Sequence, residues 1–473
     1  VDTFLRVFDE HLFTAPVGWL ALWTLAFTIP TAALSYWIVE RPSLRLKKRR
    51  LLPKRAQPVF ERWFSRWGTF EWALLTIALA GMILRLAYIW FERRPHFEEF
   101  GVIGDAGFYH WGANVLADGL GFINPFQYYW RGLHVQEASH PPLYSLWLTI
   151  PSLLGFRGTT SHMLWTVPVG TATIVFAGLA AKEMLGKRVG IIAAFLVAFY
   201  PNVWSHDGFL TSETMSISTA TLTIWMAYRY WRAPSMRRAI ALGLALGLAV
   251  AARTEMTMLI PFMVIPLVLA TRDTSWKERW KRLVAAGLMV LVIIGPWLVF
   301  NFTRFDRPVI VSTGFGITLM SANCDSTYYG DDIGYWSMPC TLAIDEKYGG
   351  LYKIDQSVAE STYRKEALDY IGNHKKRFAY VTLVRWARYT GIWDLTHGFD
   401  QVHKDITPEG REPWVAWTSV FAWFVVFPSA IVGAFLLHRR RVPVYIVAAP
   451  IIASFVTITM TFHQNRYRAS AET

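Results

Sequence analysis

Three acids and three arginines in this 473-residue chain have the types and neighbours that proton transfer and phosphate binding use. Asp105 stands in Gly104-Asp105-Ala106-Gly107-Phe108-Tyr109, and Glu213 follows Thr211-Ser212. Arg253 and Glu255 flank Thr254, and Arg466-Tyr467-Arg468 lies near the end of the chain. A carboxylate among small and aromatic neighbours can take a proton from an acceptor hydroxyl, or hold a divalent cation against a phosphate. Guanidinium groups suit the phosphate itself. His140 precedes Pro141-Pro142. Each residue alone has a plainer reading: Asp105 as a solvated turn aspartate, Glu213 as a helix-start carboxylate favoured by the helix dipole, and His140 as a structural residue before an extended Pro-Pro segment. Their gathering on one side of a membrane carries more weight than any one of them.

The elements that must position these groups are membrane helices. The chain is 53% hydrophobic and 17% charged, against about 25% charged in a soluble domain. Its apolar residues gather in blocks long enough to cross a bilayer as helices. We place crossings at 17–39, 71–91, 162–181, 189–204, 212–228, 239–252, 256–271, 283–300, 414–437 and 442–462. The net charge of +13 falls at block ends, as in Lys47-Lys48-Arg49-Arg50, Lys187-Arg188, Arg237-Arg238 and Arg439-Arg440-Arg441. That is the positive-inside pattern, not the basic face of a nucleic-acid binder, so nucleic acid is excluded as a partner. Parity then puts 92–161, 205–211, 301–413 and 463–473 outside. Between Arg237-Arg238 and Arg272, Lys277 and Arg279 the crossings must be even in number, so Arg253-Thr254-Glu255 is predicted to be an outer turn. One long helix with a buried ion pair is the competing reading.

The fold class is thus an all-α polytopic membrane protein with two long extracytoplasmic loops bearing juxtamembrane helices. Within the second loop, 361–393 alternates basic and apolar residues, from Lys365 to Arg388, as an interfacial amphipathic helix does. The same loop holds the only cysteines, Cys324 and Cys340. In an oxidising compartment they are predicted to pair, two reduced buried thiols being the alternative, and their spacing offers too few ligands for zinc.

Asp105 in Gly-Asp-Ala-Gly-Phe-Tyr, His140-Pro141-Pro142-Leu143-Tyr144, the Thr211-Ser212-Glu213 helix start, Ala252-Arg253-Thr254-Glu255 and Arg466-Tyr467-Arg468 together resemble the GT-C membrane glycosyltransferases. The likeness is to the family-39 branch, with the protein O-mannosyltransferases and the lipid A aminoarabinose transferase, and covers about residues 70–473. It implies a GT-C-like helix bundle and an inverting transferase that moves a sugar from a polyprenyl-phosphate donor to an acceptor glycan, lipid or protein. The setting would be the outer face of a bacterial plasma membrane. Asp105 would be the base or lie beside it, and Glu213 the second-loop acid, with Asp207 the weaker match. His140, Arg253, Glu255, Arg466, Tyr467 and Arg468 would bind donor phosphate or substrate. Many members carry adjacent acids in the first loop, whereas Ala106 follows Asp105 here, which leaves a divalent metal cofactor open.

Residues 1–50 differ. Leu34-Ser35-Tyr36-Trp37-Ile38-Val39-Glu40-Arg41-Pro42 resembles the last crossing of acyltransferase family 3 membrane proteins. We therefore divide the chain into 1–50, the end of such a domain, 51–70, a basic cytoplasmic linker, and 71–473, a transferase domain. Both ends are expected to lie within a longer protein. Two other classes remain. A flippase or transporter of polyprenyl-linked glycans would need polar groups at mid-membrane and related halves, and a scaffold for envelope-glycan assembly would need none of these acids.

Overall fold

The structure, a computed structural model, describes residues 68–473 except 103, 272–273 and 408–409. The acyltransferase-like segment 1–50, the crossing at 17–39 and the linker up to residue 67 lie outside the described residues, as does Arg272. From Ala73 onward the chain forms one compact unit. Its regular structure is helical, and among the described residues the sole β feature is a single bridge between Ile123 and Gln136.

The helices that matter here are α1 (Thr69–Tyr88), α2 (Gly104–Ala117), α3 (Leu143–Leu153), α4 (Thr159–Leu185), α5 (Lys187–Phe199), α6 (Glu213–Arg232), α7 (Met236–Ala252), α8 (Trp276–Phe302), α9 (Gln356–Asn373), α10 (Lys375–Thr390), α11 (Pro413–Arg439) and α12 (Tyr445–Met460). Nine apolar blocks predicted within 71–462 all fall on helices. Among the described residues four helices are long and apolar enough to cross a membrane alone: Thr69–Glu99, Thr159–Leu185, Trp276–Phe302 and Pro413–Arg439. A fifth span is bent by 64° where Lys187–Phe199 meets Pro201–Gly208. The cause is Pro201, which holds the preceding Tyr200 in extended backbone (ψ 115°). The remaining apolar blocks fall on helices of 20 residues or fewer, of which α6 is buried along most of its length.

Contacts at the two ends of α6 fix the direction of its neighbours. At its start Glu213 pairs with Arg253. At its far end the Tyr230 hydroxyl lies 3.4 Å from Thr271 Oγ1, and the Tyr228 hydroxyl donates to the Pro443 carbonyl at 3.0 Å. The chain therefore runs up α7 to Arg253 and back down Thr254–Leu269, so the Arg253-Thr254-Glu255 stretch reverses the chain. Arg253 itself is extended (φ −151°, ψ 138°), which ends α7. The basic Arg439-Arg440-Arg441 cluster precedes Pro443 and so shares the end occupied by Arg232 and Arg237.

The two long segments pack on each other at the opposite end. Arg304 donates to the carbonyls of Phe122 (2.8 Å) and Glu137 (2.6 Å), and Gln356 links Ala138 N (2.7 Å) to the Glu137 carboxylate (2.6 Å). Gly314 runs so close to residue 139 that a Cβ there would sit 2.5 Å from the Ser139 carbonyl.

The predicted amphipathic helix over 361–393 needs correction. It is two helices, α9 and α10, broken at His374 (φ −121°, ψ 33°). Its basic residues are not all surface groups either. Arg385 and Arg388 are 0% and 1% exposed. Arg385 holds the carbonyls of Thr459 (2.9 Å) and Ala322 (2.6 Å), and Arg388 holds the Ile333 carbonyl and Asp400. Cys324 and Cys340 form a disulfide across 16 positions. Replacing both with serine is expected to cost about 3 kcal/mol, the chain-entropy value for a loop of that length. The check is a lower unfolding temperature and faster proteolysis between residues 324 and 340.

Candidate active site

Asp105 stands in the first turn of α2, delivered by Gly104 in the left-handed region (φ +57°) that a side chain resists. Pro141 and Pro142 lead into α3 and carry His140 to the same point, its Nε2 3.9 Å from Asp105 Oδ1. The His140 ring packs between Phe108 (4.8 Å between centroids) and Tyr109 (5.1 Å). Glu213 opens α6 and is 3% exposed. Arg253 bridges Glu213 and Glu255, and stands 5.1 Å from the Tyr467 ring.

Arg466 closes the group. Its Nη1 donates to Asp105 Oδ2 at 2.7 Å, and its Nε lies 2.6 Å from Gln464 Oε1 and 3.8 Å from Glu213 Oε1. The guanidinium also lies 5.3 Å from the Tyr467 ring centre, so one aromatic ring contacts both cationic groups. Glu213, Ser216, Arg253, Glu255, Arg466 and Tyr467 line one narrow cleft. Enclosure by the chain pushes the Asp105 carboxyl up, but Arg466 and His140 outweigh this and hold it below the ordinary carboxylate value. Burial carries the Tyr467 hydroxyl up to about 12, so it stays protonated and able to donate.

Seven of the eight candidate residues singled out in the sequence thus come together: Asp105, His140, Glu213, Arg253, Glu255, Arg466 and Tyr467. Arg468 does not. Residues 465–468 form one helical turn, on which positions two apart point to nearly opposite sides. Arg468 is 1% exposed, pairs with Glu472, donates to the Tyr389 carbonyl at 3.0 Å and covers the Trp423 ring at 4.0 Å. It anchors the motif rather than facing the cleft. Arg304, also outside the cleft, ties the two loops together.

Asp207 is committed elsewhere. It pairs with Arg85 at 2.8 Å, the two side chains being 1% and 0% exposed, and accepts from Thr214 Oγ1 at 2.9 Å. Arg85 went unnoticed in the sequence, although a charge inside an apolar block signals a partner. A second unforeseen network holds the last residues: Asn202 donates to Glu472 (2.7 Å) and the Asn465 carbonyl (3.2 Å), while Arg411 donates to Asn202 (2.8 Å). These partners are separated by hundreds of residues, and no local spacing announces them.

The donor set does not suit a divalent metal. Each carboxylate of the cleft is already bound to a guanidinium, and among the described residues no three His, Cys, Asp or Glu side chains converge on a point.

Comparison with known proteins agrees on the fold. Residues 139–300 match the family described as dolichyl-phosphate-mannose-protein mannosyltransferase. Across 87% of the chain the structure resembles the oligosaccharyltransferase of Archaeoglobus fulgidus in its apo form (TM-score 0.51, 15% identity, 50% of that chain covered). The same enzyme tethered to an acceptor peptide with an NVT sequon gives a TM-score of 0.50 at 16% identity over 87% of this chain and 49% of that one. ArnT from Cupriavidus metallidurans bound to undecaprenyl phosphate aligns over 85% of this chain and 78% of its own at 14% identity, with a TM-score of 0.39. No curated protein sequence matches the chain. The chain spans about half the length of the archaeal oligosaccharyltransferase it resembles. Its helical fold is shared with that archaeal enzyme, and the family match falls inside the stretch whose motifs carry the resemblance in the sequence.

Proposed function

We propose that this protein is a glycosyltransferase that moves a sugar from a polyprenyl-phosphate donor to an acceptor hydroxyl, at the extracytoplasmic face of a bacterial plasma membrane. The observation that carries the proposal is Arg466, set between Asp105 and Glu213 at the mouth of a cleft walled by Arg253. One residue there can meet a phosphate while its neighbour meets a hydroxyl.

Asp105 Oδ2 is held by Arg466, which leaves Oδ1, beside His140, to take the acceptor proton. The acceptor oxygen bonds to the anomeric carbon from the side opposite the phosphate, and the C–O bond to phosphate breaks with its electron pair leaving on the phosphate oxygen. The configuration inverts. Arg466 and Arg253 meet the charge that develops on the leaving polyprenyl phosphate. As they turn toward it, Arg466 loosens from Asp105, and the carboxylate becomes a stronger base once donor is bound. The acceptor is a glycan, lipid or protein hydroxyl. We assign residues 71–473 to this transferase domain.

The pH profile tests the Arg466 role. Asp105 must be ionised to act, so activity falls as pH drops through its depressed pKa. Arg466→Gln removes the charge that depresses it, so the acidic limb is expected to move to higher pH, with a raised KM for donor. An acidic limb that stays in place would remove Arg466 from contact with the base.

A further inference from the structure

The α6–α7 connection lies at the end of the bundle away from Asp105 and borders an open cavity of about 260 Å3, lined by Met226, Arg229, Ser235, Arg237, Arg238 and Ala241. Three of these six carry positive charge and none is acidic. Arg238 is a wall rather than a ligand, because its Nη1 donates to the carbonyls of Arg229 (2.9 Å) and Ala233 (2.7 Å) and caps the last turn of α6. The other two arginines differ. The Arg229 guanidinium lies 5.4 Å from the Trp225 ring and is half-buried, and Arg237 is exposed. Among the described residues neither finds a carboxylate or carbonyl acceptor. A half-buried guanidinium without an acceptor, beside a second one in a cavity free of acids, calls for an anion with paired oxygens.

The geometry points to a binding site for the phosphate of an anionic phospholipid headgroup. Arg229 lies in the last turn of a membrane helix, at the depth where headgroups begin. The indole of Trp225 on the turn before it is the kind of side chain found at that boundary. Basic pockets between helices at the basic end of a membrane protein bind such headgroups. The site lies at the opposite end of α6 from Glu213 and stands independently of the transfer chemistry proposed above.

The test is native mass spectrometry of the detergent-purified protein, titrated separately with phosphatidylglycerol, phosphatidylcholine and inorganic phosphate. One phosphatidylglycerol is expected to remain bound where phosphatidylcholine does not. Arg229→Gln/Arg237→Gln is expected to weaken it about thirtyfold and Arg237→Gln alone about fivefold, from a factor of about five per interfacial charge. Lys277→Gln/Lys281→Gln, which removes two charges at the same end but outside the cavity, is expected to leave binding intact. Inorganic phosphate that displaces the lipid, and is itself lost in the double arginine variant, would keep the anion site but give it to a soluble phosphate. Equal phosphatidylglycerol binding by the protein and the double arginine variant, or equal loss in the lysine pair, would overturn the site.

Discussion

Asp105→Asn is expected to insert and fold as the unaltered protein does, yet lower sugar transfer on the order of 10²–10⁴-fold, the usual contribution of a positioned general base. The substitution keeps the shape of the side chain and an oxygen able to accept from Arg466, so the cleft should hold its form. It removes the basicity. Asp105 is two-fifths exposed, near 37%, so the exchange creates no buried unpaired group and stability should change little. The loss should appear in kcat with donor KM changed far less, because the base acts on the acceptor. Transfer within threefold of the unaltered protein, measured in membranes supplied with donor lipid, would take Asp105 out of the mechanism.

The second large effect concerns folding. Arg85→Met leaves Asp207, 1% exposed, without its 2.8 Å partner. Removing one member of a buried ion pair costs about 3–5 kcal/mol, and this one lies among apolar helices with little room to relax. Gly170 has no side chain for the same reason: a Cβ there would come within 1.9 Å of Asp207 Oδ2. Adding Asp207→Asn to Arg85→Met removes the stranded charge and keeps an acceptor for Thr214, so the double variant should recover most of the lost stability. Thermal unfolding followed by size exclusion checks both. A single variant as stable as the unaltered protein would mean that the pair contributes nothing to holding α1 against the 205–208 turn.

Features legible in the sequence were those that local pattern encodes. Apolar blocks and terminal basic clusters marked the helices because lipid and water sort side chains by type along each short stretch. The reversal at Arg253-Thr254-Glu255 followed from the count of crossings between two basic flanks, and the contacts of Tyr230 and Glu213 at opposite ends of α6 agree with it. Motif order brought seven site residues to one end of the fold. Arg468 shows the limit: beside Arg466 in the chain, it turns to the other side within one helical turn and serves packing. Arg385 and Arg388 show another. Their charges read as an interfacial face, but they are consumed by carbonyls of Thr459, Ala322 and Ile333, distant in the chain. The Arg85–Asp207 pair joins positions more than a hundred residues apart, and spacing alone could not name the partner.

Proteoliposomes holding the protein, given a polyprenyl-phosphate sugar labelled in both lipid and sugar together with acceptor, test the central claim directly. The expected result is release of one polyprenyl phosphate for each sugar transferred, abolished together by Asp105→Asn. Labelled donor that crosses the bilayer with its sugar–phosphate bond intact, and yields no polyprenyl phosphate, would contradict it.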